Sequence, residues 1–252
     1  MGAVELMLIR HGESVGNVAA TAAQAAGAKV IDMALRDADV PLSPTGFQQA
    51  RALGKWLAAL PETERPQSLW CSPYLRAQQT AEGAGATGFP GVRAGAQAGI
   101  RTDERLRDRE LGILDLLTPA GARSRYPEES RRRQWLGKFY YRPPGGESWA
   151  DVALRLRSLV ADLDRLEDGR RVALFCHDAV ILLMRYVCEG LTEGELLDVA
   201  ARTVVLNGSV TRLVRPSGSG LWQSVSFSEV THLEAEGTPV TVHAGDTDVQ
   251  PK

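Results

Sequence analysis

Cysteine is scarce in this chain: three residues, Cys71, Cys176 and Cys188, in 252. The number is odd and all three sit in apolar or strand-like segments. A disulfide framework is therefore not expected, and buried thiols in a cytoplasmic chain are. Histidine is nearly as scarce, with four residues at 11, 177, 232 and 243, and no CxxC or HExxH spacing accompanies them. A metal site is not expected on that pattern. No apolar stretch approaches the roughly 18 residues that a membrane span needs. The opening "MGAVELMLIRHG" has neither the basic region nor the small-residue cleavage site of a signal peptide. An excess of one charge is missing too: 29 Lys and Arg face 31 Asp and Glu, a net charge of -2. Nothing here offers the one-sided basic field that nucleic acid or an anionic membrane attracts, so the expected partner is a small molecule. Oligomeric state has no signature in the sequence.

What is present is an ordinary globular composition, 44% hydrophobic and 24% charged, on a chain long enough to bury a sizeable core. "VELMLIR" (4–10), "QSLWCS" (67–72) and "RVALFC" (171–176) are short continuous apolar runs, the pattern of strands buried on both faces. Amphipathic helices are predicted over 42–60, entered through Ser43 and Pro44 and stopped by Pro61, and over 147–169, capped by Ser148 and Asp151. A third helix follows "SPYLRAQQTAEGAG", and an apolar one, "AVILLMRYVCEG", closes on Gly190. "SVTRLVR" and "LWQSVSF" flank "PSGSG" and read as an antiparallel hairpin. Residues 83–99 read as a loop with at most an edge strand. The Arg-, Asp- and Tyr-rich stretch 101–146 reads as an insertion over a site or a solvated arm. The expected architecture is one α/β domain over 1–233, a three-layer α/β/α sandwich with a mainly parallel sheet and an antiparallel edge. A polar tail, 234–252, is expected to be loosely ordered.

Three of the predicted strands end on chemistry. The first ends on Arg10 and His11, the second runs into the loop and helix that carry Arg76, and the third ends on His177. In an open, mainly parallel sheet, ligands bind at the carboxyl ends of the strands. The scattered arginines and histidines are thus expected to meet. Two guanidiniums match phosphate oxygens. A neutral imidazole is a competent nucleophile near pH 7, and a second one can stabilise charge on the transferring group. Such a pocket suits phosphoryl transfer through a phosphohistidine and lacks only an acid for the leaving alcohol.

"LIRHGESVGN" resembles the signature of the histidine phosphatase superfamily, the phosphoglycerate-mutase-like branch. "DVPLSPTGFQQARALG", "CSPYLRAQQTA", "LRDRELG", "PPGGESWADVALR" and "FCHDAVI" follow in that family's order, so the resemblance covers about residues 4–215. It implies that His11 accepts the phosphoryl group, that Arg10, Arg76 and His177 cradle it, and that Asn17 adds a donor. Gly12, Ser14 and Asp178 join Asn17 as substrate-binding candidates. The family's acid is a glutamate four residues before a glycine, a position that falls here on Asp108, one methylene shorter. Glu110 is the fallback. Asp178 stands where many relatives have glycine after the histidine. It can orient His177, serve as an alternative acid as in the acid-phosphatase branch, or cap the following helix.

The resemblance implies no metal and no organic cofactor, and it leaves three functions open: phosphomonoester hydrolase of acid type, phosphoglycerate mutase, or a non-catalytic phospho-ligand binder. Leu111 stands before Gly112 where the mutases have tyrosine, which favours the hydrolase. Activity is expected to fall when His11 gains a proton on the acid side and when the donor carboxylic acid ionises on the alkaline side. Phe139, Tyr140 and Tyr141 either contact the leaving group or pack.

Overall fold

The computed structural model describes residues 1–88 and 99–243. Its organising strand is β1 (Glu5–Arg10), buried along its length because Leu6 and Leu8 enter one apolar cluster while Met7 and Ile9 enter another. β1 runs parallel to β4 (Arg171–Cys176), with Leu8 opposite Leu174 and Arg10 opposite Cys176. β4 in turn pairs in parallel with β2 (Ser68–Cys71), and β2 with the short edge strand β3 (Ile100–Thr102). On the other flank of β1, β5 (Val210–Val214) and β6 (Gln223–Glu229) add in antiparallel fashion, giving the order β3-β2-β4-β1-β5-β6.

Helices cover both faces, as strands buried on both sides require. α2 (Pro44–Ala59) and α3 (Leu75–Gly88) close one cluster through Leu53, Leu57, Ala77 and Ala81. α6 (Trp149–Leu166), α7 (Asp178–Glu189) and α8 (Glu193–Arg202) close the other through Leu156, Leu159, Ile181 and Leu196. Ser43 and Ser148 accept the N–H groups of Gly46 and Asp151, and Asp151 returns the bond at Ser148, so the helix starts read in the sequence are formed. No helix among the described residues is long and apolar enough to cross a membrane.

Two stretches differ from expectation. The run taken as loop from residue 83 continues α3 through Gly88, because its small residues suit a close helix contact: a Cβ on Gly83 would lie 2.8 Å from Cβ of Ala50. The remainder of that stretch, 89–98, lies outside the described residues. The polar tail is not loose as far as residue 243. After α9 (Thr231–Ala235) it returns toward the sheet, where Gln49 Nε2 donates to the Pro239 carbonyl and Asn207 N–H to the Thr241 carbonyl. The stretch from 101 to 146 contains α4 (Pro119–Arg125), α5 (Pro127–Tyr140) and turns at Glu104–Leu106 and Gly112–Leu114. Between β1 and α2 lies α1 (Val15–Ala25), followed by a long connection through 26–43.

Candidate active site

The parallel register of β1, β4 and β2 brings their carboxyl ends level. The ladder runs one residue past each strand, with His11 N–H donating to the Cys176 carbonyl at 3.0 Å and Ser72 N–H to the Phe175 carbonyl at 2.9 Å. His11 and His177 therefore stand side by side, ring centroids 5.2 Å apart, and the Arg76 Nε–H reaches His11 Nε2 at 3.3 Å. The backbone of the first loop is pressed against the start of α2. A Cβ on Gly12 would lie 2.6 Å from the Gly46 carbonyl oxygen, and one on Gly46 2.0 Å from that of Glu13. Glycine at both positions is what permits this approach.

Hydrogen bonding fixes the protonation of both rings. His11 Nδ1 lies 2.7 Å from the Gly12 carbonyl, which only accepts, so the proton is on Nδ1 and the lone pair is on Nε2. Burial, then the Arg76 guanidinium, the neighbouring His177 and the Arg10 guanidinium, hold the His11 pKa well below the usual 6.5, against the opposing carbonyl bond. The ring is uncharged at neutral pH. His177, wholly buried, is likewise held well below 6.5 by burial and then by Arg76, Arg10 and Arg155. Its Nε2 lies 2.9 Å from Ser72 Oγ, and that oxygen already accepts the Tyr74 N–H at 3.2 Å. The Asp108 carboxylate, an acceptor 3.3 Å from Nδ1, assigns the imidazole proton to Nδ1, which leaves Nε2 to accept from the Ser72 hydroxyl.

Nδ1 of His177 and Nε of Arg10 are buried donors with no hydrogen-bond partner among the described residues. Asp108 Oδ2 comes within 3.3 Å of that Nδ1 without the alignment of a bond, while accepting from Arg76 Nη2 at 3.0 Å. Orphaned buried donors are rare and costly. Arg10 lines the cavity together with His11, whereas His177, its ring 5.2 Å from that of His11, is not among the lining residues.

Arg76 is fully engaged in this state. Its Nη1 donates to the Asp37 carbonyl oxygen at 2.6 Å and to Asp37 Oδ1 at 2.9 Å, while Nη2 reaches Asp37 Oδ2 at 3.3 Å. Burial and the nearby Asp108 charge raise the Asp37 pKa, opposed by Arg76. The main chain of Asp108 is held from behind: Arg155 Nη2 donates to its carbonyl at 3.2 Å and to Glu147 Oε2 at 3.1 Å. The "PPGG" turn packs against the same loop, and a Cβ on Gly112, at φ 55°, would lie 2.2 Å from the Pro144 oxygen.

The remaining candidates fall as follows. Ser14 caps α1 and pairs with Asn17 in a reciprocal capping box. Asn17 Oδ1 also accepts from Asn207 Nδ2 at 3.1 Å, so the amide NH2 of Asn17 is the group left to face the cavity. Gly12 N–H is committed to Thr80 Oγ1 at 3.0 Å, so this glycine serves the loop's packing and offers no donor to a ligand. Asp178 is the first residue of α7. It accepts the Ala179 N–H at 2.7 Å and stands 3.6 Å from Arg10 Nη2, with no bond to His177. It meets the helix start and Arg10 and also lines the cavity, so the alternative of an acid stays with it, while the residue bonded to the His177 imidazole is Ser72. Glu110 accepts from the Tyr74 hydroxyl at 2.9 Å and does not line the cavity. Phe139 and Tyr141 are buried packing residues, Phe139 against Tyr186, and Tyr140 binds Glu193 at the surface; none of the three reaches the cavity.

Four contributors were not apparent in the sequence: Ser72, Asp37, Asn207 and His243. Ser72 had a signal, its place directly after a buried strand. His243 had none. Its carbonyl accepts from Arg10 Nη1 at 3.2 Å and its ring meets Thr21 Oγ1 at 3.1 Å, which puts the tail on the cavity wall. The cavity itself measures about 310 Å³.

Comparison with known proteins agrees with this geometry. Residues 6–228 match the family model described as the histidine phosphatase superfamily, branch 1. A phosphoglycerate mutase-like protein of Arabidopsis thaliana is 33% identical over 174 residues, 66% of this chain and 55% of its own length. The chain thus spans about half the length of that relative. A 2,3-bisphosphoglycerate-dependent phosphoglycerate mutase of Methylobacterium radiotolerans is 31% identical over 79% of this chain and 86% of its own. Among solved structures, a mycobacterial glucosyl-3-phosphoglycerate phosphatase in complex with VO3 superposes with a TM-score of 0.68 at 27% identity, over 90% of this chain and 100% of that one.

Proposed function

The chain belongs to branch 1 of the histidine phosphatase superfamily, and from that premise we propose that it is a phosphomonoester hydrolase working through a phosphohistidine on His11. The observation that carries this reading is the uncharged His11 ring, whose Nε2 accepts from Arg76 Nε–H and which lies 5.2 Å from the His177 ring, while His177 Nδ1 and Arg10 Nε lack partners among the described residues. A phosphoryl group supplies the missing acceptors. Its oxygens take the place that Asp108 Oδ2 now holds on Arg76 Nη2 and beside His177 Nδ1, and they draw Arg10 Nε and the Asn17 amide into the same cradle.

The reaction runs in two steps. His11 Nε2 attacks phosphorus in line, the P–O bond to the alcohol breaks, and the displaced Asp108, as the carboxylic acid, gives its proton to the leaving oxygen. Asp108 as carboxylate then takes a proton from water. That water attacks phosphorus, the P–N bond breaks, and inorganic phosphate leaves. The arginines and the His177 Nδ1–H supply the positive field, with no metal or organic cofactor. Because His11 titrates below the ordinary range for imidazole, activity extends to acidic pH. Three buried free cysteines suit a reducing, cytoplasmic setting.

A mutase shares the first step but must hold the intermediate away from water while the substrate reorients. Incubation with 3-phosphoglycerate and a trace of its bisphosphate separates the two. Free phosphate supports hydrolysis, whereas isomerised product without phosphate release refutes it. Turnover of an aryl phosphate, abolished in His11→Ala, excludes a non-catalytic binder.

A further inference from the structure

We propose that the alcohol half of the substrate is apolar, an alkyl or aryl group, and that it is seated on a wall built from segments 31–35 and 111–117; this rests on the phosphatase reading above. Ile31, Met33 and Leu35 from the first segment and Leu111, Leu116 and Leu117 from the second all line the cavity that contains His11 and Arg76. The two segments form one unit. Ile31 N–H donates to the Leu116 carbonyl at 2.8 Å, Thr118 Oγ1 to the Ala28 carbonyl at 2.7 Å, and Val30 and Leu117 form an isolated antiparallel bridge. Gly121 closes the seam, since a Cβ there would lie 1.8 Å from the Lys29 oxygen.

Three observations indicate that this wall meets a ligand. Leu35, Leu111 and Val204 are large apolar side chains left 44%, 41% and 40% exposed while lining the same cavity, whereas exposed apolar residues are ordinarily scattered. Leu116 has φ 56°, a left-handed conformation that a leucine adopts only at a cost. Asp115 Oδ1 accepts the Leu116 N–H at 3.0 Å in that turn, and the leucine lines the cavity where glycine would have been the unstrained choice. The charged groups at the cavity, finally, are already engaged. Arg109 and Lys138 line it beside Asp37, Asp115 and Asp178; Arg109 Nε donates to the Glu147 carbonyl at 2.7 Å and Lys138 Nζ lies over the Trp149 ring at 4.8 Å. Asp37 pairs with Arg76, Asp178 stands 3.6 Å from Arg10, and Asp115 accepts the Leu116 N–H. A charged leaving group must displace one of these contacts, whereas an apolar one displaces none. With about 310 Å³, the cavity is at the small end of ligand pockets and fits a small molecule.

The test is a series of n-alkyl phosphates from ethyl to hexyl, in which leaving-group basicity is constant and kcat/KM reads the wall alone. Burial of each added methylene is expected to raise kcat/KM about fourfold. The same slope is measured in Leu116→Gly, which relieves the backbone and so is expected to fold, and in Leu35→Asn. Because the slope is a ratio within one variant, a partly active variant still reports it. A slope that falls to twofold or less in both variants supports the proposal. Flat kcat/KM in the parent, glycerol phosphate or 3-phosphoglycerate outperforming hexyl phosphate, or an unchanged slope in both variants overturns it and leaves hydrolysis intact. Failure to hydrolyse any phosphomonoester would refute the phosphatase reading instead.

Discussion

Ser72→Ala removes one buried oxygen that never touches the phosphoryl group, yet it is expected to cost turnover heavily. In the parent protein the hydroxyl accepts from Tyr74 N–H at 3.2 Å and directs its proton to His177 Nε2 at 2.9 Å. That bond satisfies Nε2 while the imidazole proton stays on Nδ1, facing Asp108 and the cradle. Alanine leaves Nε2 buried without a donor, a penalty of about 1–3 kcal/mol. The ring can relieve it by moving its proton to Nε2, which turns Nδ1 from donor into acceptor toward a phosphoryl oxygen. Complete loss of such a donor costs about 10²–10³ in kcat at comparable sites. The Asp108 carboxylate, 3.3 Å from Nδ1, still favours the original tautomer, so the expected loss is about 10- to 100-fold. Ser72→Thr keeps the hydroxyl and is expected to restore most of the rate. Steady-state kinetics on an aryl phosphate, with nitrogen-15 spectra of His177, read the rate and the tautomer separately. A folded Ser72→Ala protein with the parent kcat, or a parent protein with the proton on Nε2, would refute the reasoning.

Asp37→Asn removes a carboxylate that competes with phosphate for Arg76. Inorganic phosphate is expected to inhibit it about tenfold more tightly, an effect of one charge-assisted hydrogen bond, and weaker inhibition would make Asp37 a support for Arg76 instead. Gly112→Ala forces a Cβ to 2.2 Å from the Pro144 oxygen at φ 55° and displaces the Asp108 loop. It is expected to cost at least about 2 kcal/mol in urea unfolding together with most of the activity, and parent-like values for both would contradict that. Burial pulls the His232 pKa from 6.5 down to about 4, against its bond to the Gly208 carbonyl. Between those values the unfolded chain takes up a proton that the folded chain does not, so stability falls as pH drops from 6.5 toward 4. The loss is about 2 kcal/mol per such histidine by pH 5, with His11 and His177 adding in the same direction. Equal unfolding free energies at pH 7 and pH 5 would be inconsistent with neutral buried imidazoles.

The sheet was legible because its parallel strands are buried on both faces, which leaves continuous apolar runs such as "LMLI" and "VALF". The helix starts were legible through Ser43, Ser148 and their partners, which are local chemistry. The convergence of Arg10, His11, Arg76 and His177 followed from strand ends and register. What escaped was non-local. Nothing around His243 marks a segment that folds back more than two hundred residues to accept a bond from Arg10. The 26–43 connection has no periodicity from which Asp37 could be placed on Arg76. For the aromatic residues 139–141 contact with the leaving group and packing were both open from the sequence; Phe139 and Tyr141 are buried, Phe139 against Tyr186, Tyr140 lies at the surface on Glu193, and none of them lines the cavity. Asp178 was ambiguous because a carboxylate at a helix start serves capping and catalysis from one position.

In the proposed reaction His11 carries the phosphoryl group between two half-reactions. Rapid mixing with a fast-leaving aryl phosphate, an alkaline quench that preserves phosphohistidine, and peptide mass analysis test it directly. A transient phosphoryl adduct is expected on the peptide containing His11, formed as fast as the phenol is released and absent in His11→Ala. Sustained turnover with no adduct, or an adduct on any other residue, would contradict it.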